Sequence, residues 1–232
     1  MTEPTPGTEP VCGACGGPVR APFRAPAPEI APDLDMRPGE PARSTLRDWI
    51  QLCPACGAAA PDLAALPSTA RAVAKSDEYR MLTTSAPEET LPFRRWALIC
   101  QRTGDRPTQA EALLQAAWAA DDAAAMTEPA RLRTEVAALW DGTTDIELGL
   151  RRLDVLRRAG LFQEAEAWAD HMSQHGPDEL AATLIAFQRT KIAARDIGRH
   201  LISSALPPPA HTPYVSQTNR ATTGFWSRLL RQ

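Results

Sequence analysis

The chain has 232 residues, of which 44% are hydrophobic and 23% charged, and a net charge of −3. That length and apolar content suffice for one large domain, or two modest ones, with a buried core. Residues 1–91 carry 8 basic and 12 acidic groups, residues 92–206 carry 14 and 16, and residues 207–232 carry 3 and none. No segment has the basic stripe that nucleic-acid binding requires, which argues against that partner class.

The first ten residues hold three prolines, two acids and no apolar run, so they read as a disordered lead rather than a secretory leader. Uncharged, largely apolar stretches such as residues 112–120 are short. A membrane span needs about 20 residues. A soluble, cytoplasmic protein with no transmembrane segment is expected. In that compartment Cys-x-x-Cys pairs read as metal ligands or redox centres, not as a disulfide framework.

Two such pairs follow: Cys12-Gly-Ala-Cys15-Gly16 and Cys53-Pro-Ala-Cys56-Gly57, which use four of the five cysteines. Two thiolates three positions apart can grip one face of a metal ion, and a second pair completes a tetrahedral sulfur site. The glycine after each pair suits a turn that needs positive φ and a close approach of backbone to sulfur. The expected ligands are Cys12, Cys15, Cys53 and Cys56, holding one structural zinc ion. Four thiolates leave no open position for a reacting water. The rival reading is a thiol oxidoreductase. Cys53-Pro-Ala-Cys56 superficially suits it, but a thioredoxin-like site places a helix at its first cysteine, and here Gly57 follows the pair.

Between the pairs lie 37 residues with prolines at 18, 22, 26, 28, 32, 38 and 41. Such a segment cannot be one helix and reads as a loop-rich insert. Residues 45–52 alternate in part and lead into the second pair, as a ribbon strand would. A short antiparallel sheet around the metal is expected. Past residue 67 the composition turns to Ala, Leu, Arg and Glu. Helices are expected over 68–82, 92–101, 107–119, 128–140, 145–158, 161–174 and 177–204, with proline near starts and glycine near ends. Trp96, Trp118, Trp140 and Trp168 fall on four of these and read as core anchors.

The fold class is therefore α+β, mostly α. A small zinc ribbon with short antiparallel strands precedes stacked antiparallel helical hairpins. Four divisions are expected: a lead over 1–10, the ribbon with its insert over 11–66, the helical part over 67–206 and a tail over 207–232.

Gly160, Phe162, Ala165 and Pro177 match a tetratricopeptide repeat in type and spacing, and this part of the chain resembles one such repeat. Gly104-Asp105 with Ala110, Leu114 and Ala117 looks like a second, degenerate unit. Cys12 and Cys15, the Pro-Asp-Leu-Asp run at 32–35, the stretch Leu52-Cys53-Pro54-Ala55-Cys56-Gly57, and Ala112 through Trp118 together resemble an uncharacterised bacterial family. Its members join a two-knuckle zinc ribbon with a long insert to a tetratricopeptide-like helical half. The resemblance covers roughly residues 11–200. It implies a fold and a zinc site, and no activity.

Other residues read more plainly. Cys100 lies in an apolar helical run and is expected to be a buried, inert thiol. His171 and His175 share a helix face but lack the glutamate of a zinc protease between them, so a solvated face is expected. Asp121-Asp122 and Glu88-Glu89 read as solvated helix termini. No phosphate-cradling loop, nucleophile elbow or dinucleotide fingerprint occurs. In the tail, Phe225, Trp226, Leu229 and Leu230 would share one side of a short helix, a candidate docking motif for a partner groove or an anionic membrane surface.

The function expected is a non-catalytic zinc-binding adaptor, whose stacked helices offer a partner-binding surface. Nucleic-acid association through an arginine cluster from Arg20, Arg24, Arg43 and Arg47, and thiol oxidoreduction, are the alternatives.

Overall fold

The computed structural model describes residues 9–206. The protein is mostly helical, with a two-strand antiparallel sheet near its N-terminal end. The tail residues Phe225, Trp226, Leu229 and Leu230 lie outside the described residues.

The sheet is minimal. Strand β1 (Gln51–Leu52) pairs with β2 (Ala59–Ala60), with Gln51 opposite Ala60 and Leu52 opposite Ala59. The strand expected over 45–52 is thus confined to its last two residues. Arg43–Asp48 forms a 3-10 helix instead. Side chains turn the backbone there: the Thr45 hydroxyl donates to the Ala42 carbonyl at 2.7 Å, and Trp49 Nε1 donates to Thr45 Oγ1 at 2.9 Å.

The helix expected over 68–82 is two helices, α1 (Ala70–Ala74) and α2 (Asp77–Ser85). Ser76 separates them. Its backbone is extended and its hydroxyl accepts from the Tyr79 N–H, so it starts a new helix rather than continuing the old one. Helices α3 (Leu91–Thr103) and α4 (Arg106–Asp122) follow. Their two-residue hairpin needs left-handed backbone at Gly104, with φ of +83°, and a cap from Asp105, whose carboxylate accepts from the Thr108 N–H. Next come α5 (Glu128–Leu139), α6 (Ile146–Arg158), α7 (Phe162–Gln174) and α8 (Glu179–Ala193). Asp145 and Asp178 cap α6 and α8.

Each helix from α3 to α8 packs on the next. The centre is α4, whose Ala110, Ala112, Ala116, Ala117, Ala119 and Ala120 are all buried. Methyl-sized side chains let α3 and α5 approach from either side. A helix apolar on every side belongs in the interior.

The expected helix over 177–204 ends at Ala193. Arg195 adopts positive φ, and the N–H groups of Arg195 and Asp196 return to the carbonyls of Ile192 and Lys191, a closed C-terminal motif. The chain then runs back to the insert. Leu34 N–H donates to the His200 carbonyl at 3.0 Å, and Ile202 N–H donates to the Pro32 carbonyl at 2.9 Å.

The insert is free of regular helix up to Ala42, as its prolines dictate, yet it is no surface loop. Asp33, Leu34, Asp35 and Arg37 are buried. Two apolar clusters form the core, and both draw on residues from either side of position 66. One joins Leu34, Leu46 and Ile50 to helices α3–α8. The other joins Cys12, Cys53, Ala58 and Leu63 to Ala70, Tyr79, Leu98 and Ile99. Helix α3 serves both, with Phe93 and Ala97 in the first and Leu98 and Ile99 in the second. Fully burying a side chain the size of Phe93, Leu98 or Ile99 contributes about 1.5–3 kcal/mol.

Candidate metal centre

The two knuckles repeat one backbone design. In the first, Cys12 N–H donates to the Gly17 carbonyl at 2.8 Å, and Gly16 N–H returns to the Cys12 carbonyl at 2.7 Å. In the second, Cys53 N–H donates to the Ala58 carbonyl at 2.8 Å, and Gly57 N–H returns to the Cys53 carbonyl at 2.8 Å. Gly16 and Gly57 have φ of +76° and +75°, the left-handed backbone that glycine adopts without steric cost. The turns hold the two sulfurs of each pair on one side.

The four Sγ atoms of Cys12, Cys15, Cys53 and Cys56 all lie within 4.8 Å of one another. Cys15 Sγ and Cys53 Sγ, from different knuckles, are 3.7 Å apart. Zn–S bonds of about 2.3 Å in a tetrahedron place sulfurs about 3.8 Å apart, so the spacing suits an ion at the centre. None of the five cysteines is in a disulfide. Cys12 and Cys53 are buried, while Cys15 and Cys56 are half-buried.

The thiols perturb one another. Burial disfavours the Cys53 thiolate, but donors from the Cys56 and Ala55 backbone and from neighbouring thiols outweigh it and hold its pKa at about 7. Cys56 is pushed up to about 12, first by burial and then by hydrogen bonding and charge from Cys53 and Cys15. Burial also raises Cys12. One thiolate thus forms near neutrality and opposes the next, a conflict that a divalent cation relieves. Soft sulfur donors in a closed tetrahedron fit zinc.

The site is seated on the helices. Tyr79 Oη, from α2, donates to the Gly57 carbonyl at 2.7 Å. Gly13 N–H donates to the Leu63 carbonyl at 2.9 Å. A side chain at Gly13 would meet the Leu66 carbonyl oxygen at 2.1 Å, so the first knuckle lies flush against the segment that leads into α1.

The remaining candidates fall elsewhere. Cys100 is buried in α3, and burial pushes its thiol up to about 12. His171 on α7 and His175 at its C-cap are both exposed, their rings 4.2 Å apart, with His175 Nδ1 at 2.7 Å from the His171 carbonyl. The four-cysteine group is the one cluster among the described residues whose side chains are placed to hold a metal ion. Of the four arginines that would make a basic patch, Arg43 is held by Asp33 at 2.9 Å.

Asp121 and Asp122 end α4 as expected, and Asp122 is exposed, but both pair with buried arginines. They belong to a charged cluster that joins the insert to α4, α5 and α6. Asp35 Oδ2 accepts from Trp118 Nε1 at 2.8 Å and from Arg158 Nη1 at 2.9 Å, and lies 3.8 Å from Arg133. Arg158 and Arg133 both reach Asp121, at 2.6 Å and 2.5 Å. Arg37 pairs with Asp122 and donates to the Trp118 carbonyl at 3.3 Å. Arg151 Nε donates to the Asp35 carbonyl at 3.2 Å while its other nitrogens hold Glu111. The sequence carried one signal of this, on α6: Arg157 and Arg158 stand side by side among its buried positions, where an amphipathic helix places apolar side chains.

No family model, curated protein or solved structure matches the chain.

Proposed function

We propose that this protein is a non-catalytic interaction module, in which one structural zinc ion staples a small ribbon to a tetratricopeptide-like helical stack. The observation that carries the interaction role is a groove beside the second knuckle. Its volume is about 880 Å³, and Val19, Phe23, Leu52 and Pro54 line it together with Arg20, Arg47 and Asp48. Phe23 is 41% exposed and Leu52 46% exposed, and the nearby Val11 is also exposed. Clustered exposed apolar side chains rimmed by charge mark a contact surface.

The zinc supports this role indirectly. A unit with only two two-residue strands buries too little apolar surface to hold its shape, and a metal supplies the missing stability. Faces of α4, α5 and α6 already carry the chain's own insert, which favours the ribbon groove over the helical faces as the partner's seat. Its largely apolar lining suits a protein segment with apolar side chains.

The test is affinity purification of the full chain from its native cell, compared with a Phe23→Glu/Leu52→Glu variant. The expected result is a defined partner set that the variant loses while its metal content is unchanged. An identical partner set for both, or none for the native chain, overturns the reading.

A further inference from the structure

After α8 the chain runs back along the insert and reaches its last described residue, Leu206, in the wall of a groove. The insert forms one wall with Pro28, Ile30 and Pro32, and the segment after α8 forms the other with Ile202 and Leu206. The groove's volume is about 360 Å³. That is near the lower end of the ~300–1,000 Å³ typical of ligand pockets, which suits a few large side chains. Ile30 is 50% exposed and Leu206 36% exposed. Both walls are braced. The Glu29 N–H donates to the Glu40 carbonyl at 2.8 Å, and a side chain at Gly39 would meet the Ile30 carbonyl oxygen at 2.3 Å, so backbone lies directly against backbone there. The Ile202 N–H, bonded to the Pro32 carbonyl, ties one wall to the other. The groove is formed before anything enters it, which lowers the ordering cost of a guest. Glu29, which is exposed, is the one charged residue in its lining among the described residues.

Exposed apolar side chains beside a carboxylate call for a guest with apolar and basic side chains. The chain itself carries such a segment. Residues 207–232 hold Phe225, Trp226, Leu229 and Leu230 at helical spacing, with Arg228 among them and Arg231 after them. This tail has 3 basic groups and no acid, whereas residues 1–206 have 22 basic and 28 acidic groups. The ribbon groove suits the tail less well, because Arg20 and Arg47 belong to its lining. Reach is ample. The 18 residues from Pro207 to Gly224 span up to about 60 Å when extended, and they start at the groove itself.

Tethering decides between the chain's own tail and that of a second copy. A tethered segment has an effective concentration of about 1 mM, whereas a second copy at about 10 μM supplies roughly one hundredth of that. A contact of millimolar affinity is therefore about half filled within one chain and nearly empty between chains.

We propose that Phe225 and Trp226 of the tail seat in this groove of the same chain, against Ile30, Ile202 and Leu206, with the tail's arginines answering Glu29. The contact involves neither the zinc ligands nor the ribbon groove, so it stands or falls separately from the function proposed above.

NMR of the full zinc-loaded chain with labelled isoleucine methyls tests this. Nuclear Overhauser contacts from the Trp226 ring to the Ile30 and Ile202 methyls are expected, unchanged on about tenfold dilution, as docking within one chain requires. Trp226→Ala should shift both methyls. Ile30→Glu, at an exposed position, should abolish the tail contacts. Glu29→Lys should lower the docked fraction by about two- to fivefold, the scale of a solvent-exposed charge pair. Absent contacts, or Ile30 and Ile202 methyls unmoved by Trp226→Ala, would overturn the proposal. So would contacts that fade on dilution and thus belong to a second copy, or a Trp226 that responds only to anionic vesicles. Tail contacts that survive Ile30→Glu, or a docked fraction indifferent to Glu29→Lys, would overturn it as well. The native-chain contacts and their dilution series decide the matter even if a groove variant fails to fold.

Discussion

Arg158 donates to the Asp35 carboxylate at 2.9 Å, although 123 positions separate them. Asp35 sits on the insert between the knuckles and Arg158 on the last turn of α6, and both are buried. Burial alone would raise the pKa of Asp35. The Arg158 and Arg133 charges, with donors from Trp118 and the Arg37 backbone, overcome it and hold the carboxyl below the usual range. The same pairing raises Arg158 above its ordinary value.

Asp35→Asn should therefore destabilise the protein at neutral pH by about 3 kcal/mol, because it leaves two buried guanidinium groups, Arg158 and Arg133, to share the Asp121 carboxylate alone. A carboxyl whose folded pKa is depressed contributes its full stability above the unfolded value of about 3.9 and loses it as pH falls through the folded value. The gap in unfolding free energy between the native chain and Asp35→Asn should stay constant down to about pH 4 and close below it. Denaturant unfolding at several pH values measures this.

Trp118→Phe removes the donor to Asp35 Oδ2 and keeps most of the ring. The expected cost is about 1–3 kcal/mol, since a charged buried acceptor loses a partner. In the Asp35→Asn background the same change should cost less, and a double-mutant cycle measures the coupling.

Tyr79→Phe tests whether the metal centre is mechanically joined to the helices. It deletes the 2.7 Å hydrogen bond from α2 to the Gly57 carbonyl and leaves the buried ring in place. A stability loss of about 1 kcal/mol is expected. Metal release to a chelator should also quicken, with no change in stoichiometry.

Two glycines of the first knuckle should respond differently to alanine. Gly16 has positive φ but open space around the position a Cβ would take, so Gly16→Ala should cost about 1–2 kcal/mol of backbone strain. At Gly13 the added atom would collide with the backbone carbonyls of Leu66 and Ala64 at 2.1 Å and 2.7 Å. Those atoms cannot swing aside as a side-chain tip would. Gly13→Ala should be the more damaging, by denaturant midpoint and by metal affinity.

The parts of this structure that are local in sequence were legible there. A Cys-x-x-Cys-Gly unit closes its own turn, so two copies already specify four converging sulfurs. Pro92, Pro107 and Pro129 each fall in the first helical positions, and Gly104 and Gly160 end helices with positive φ. The role of the insert was not legible, because a run as polar as Asp33 to Arg37 resembles a solvated loop. Its partners Trp118 and Arg158 lie 83 and 123 positions from Asp35, beyond the reach of any periodicity. Ser76 and Arg195 mislead for a different reason. Each is tolerated within a helix by propensity, and here a cap and a left-handed turn end the helix instead.

The most direct test of the account is the metal itself. The purified full chain should carry one zinc ion per molecule, and X-ray absorption should show four sulfur ligands at about 2.3 Å. Replacing Cys12 or Cys53 with serine should abolish stoichiometric binding. A chain that folds fully without metal, or a zinc bound through nitrogen or oxygen ligands, would contradict it.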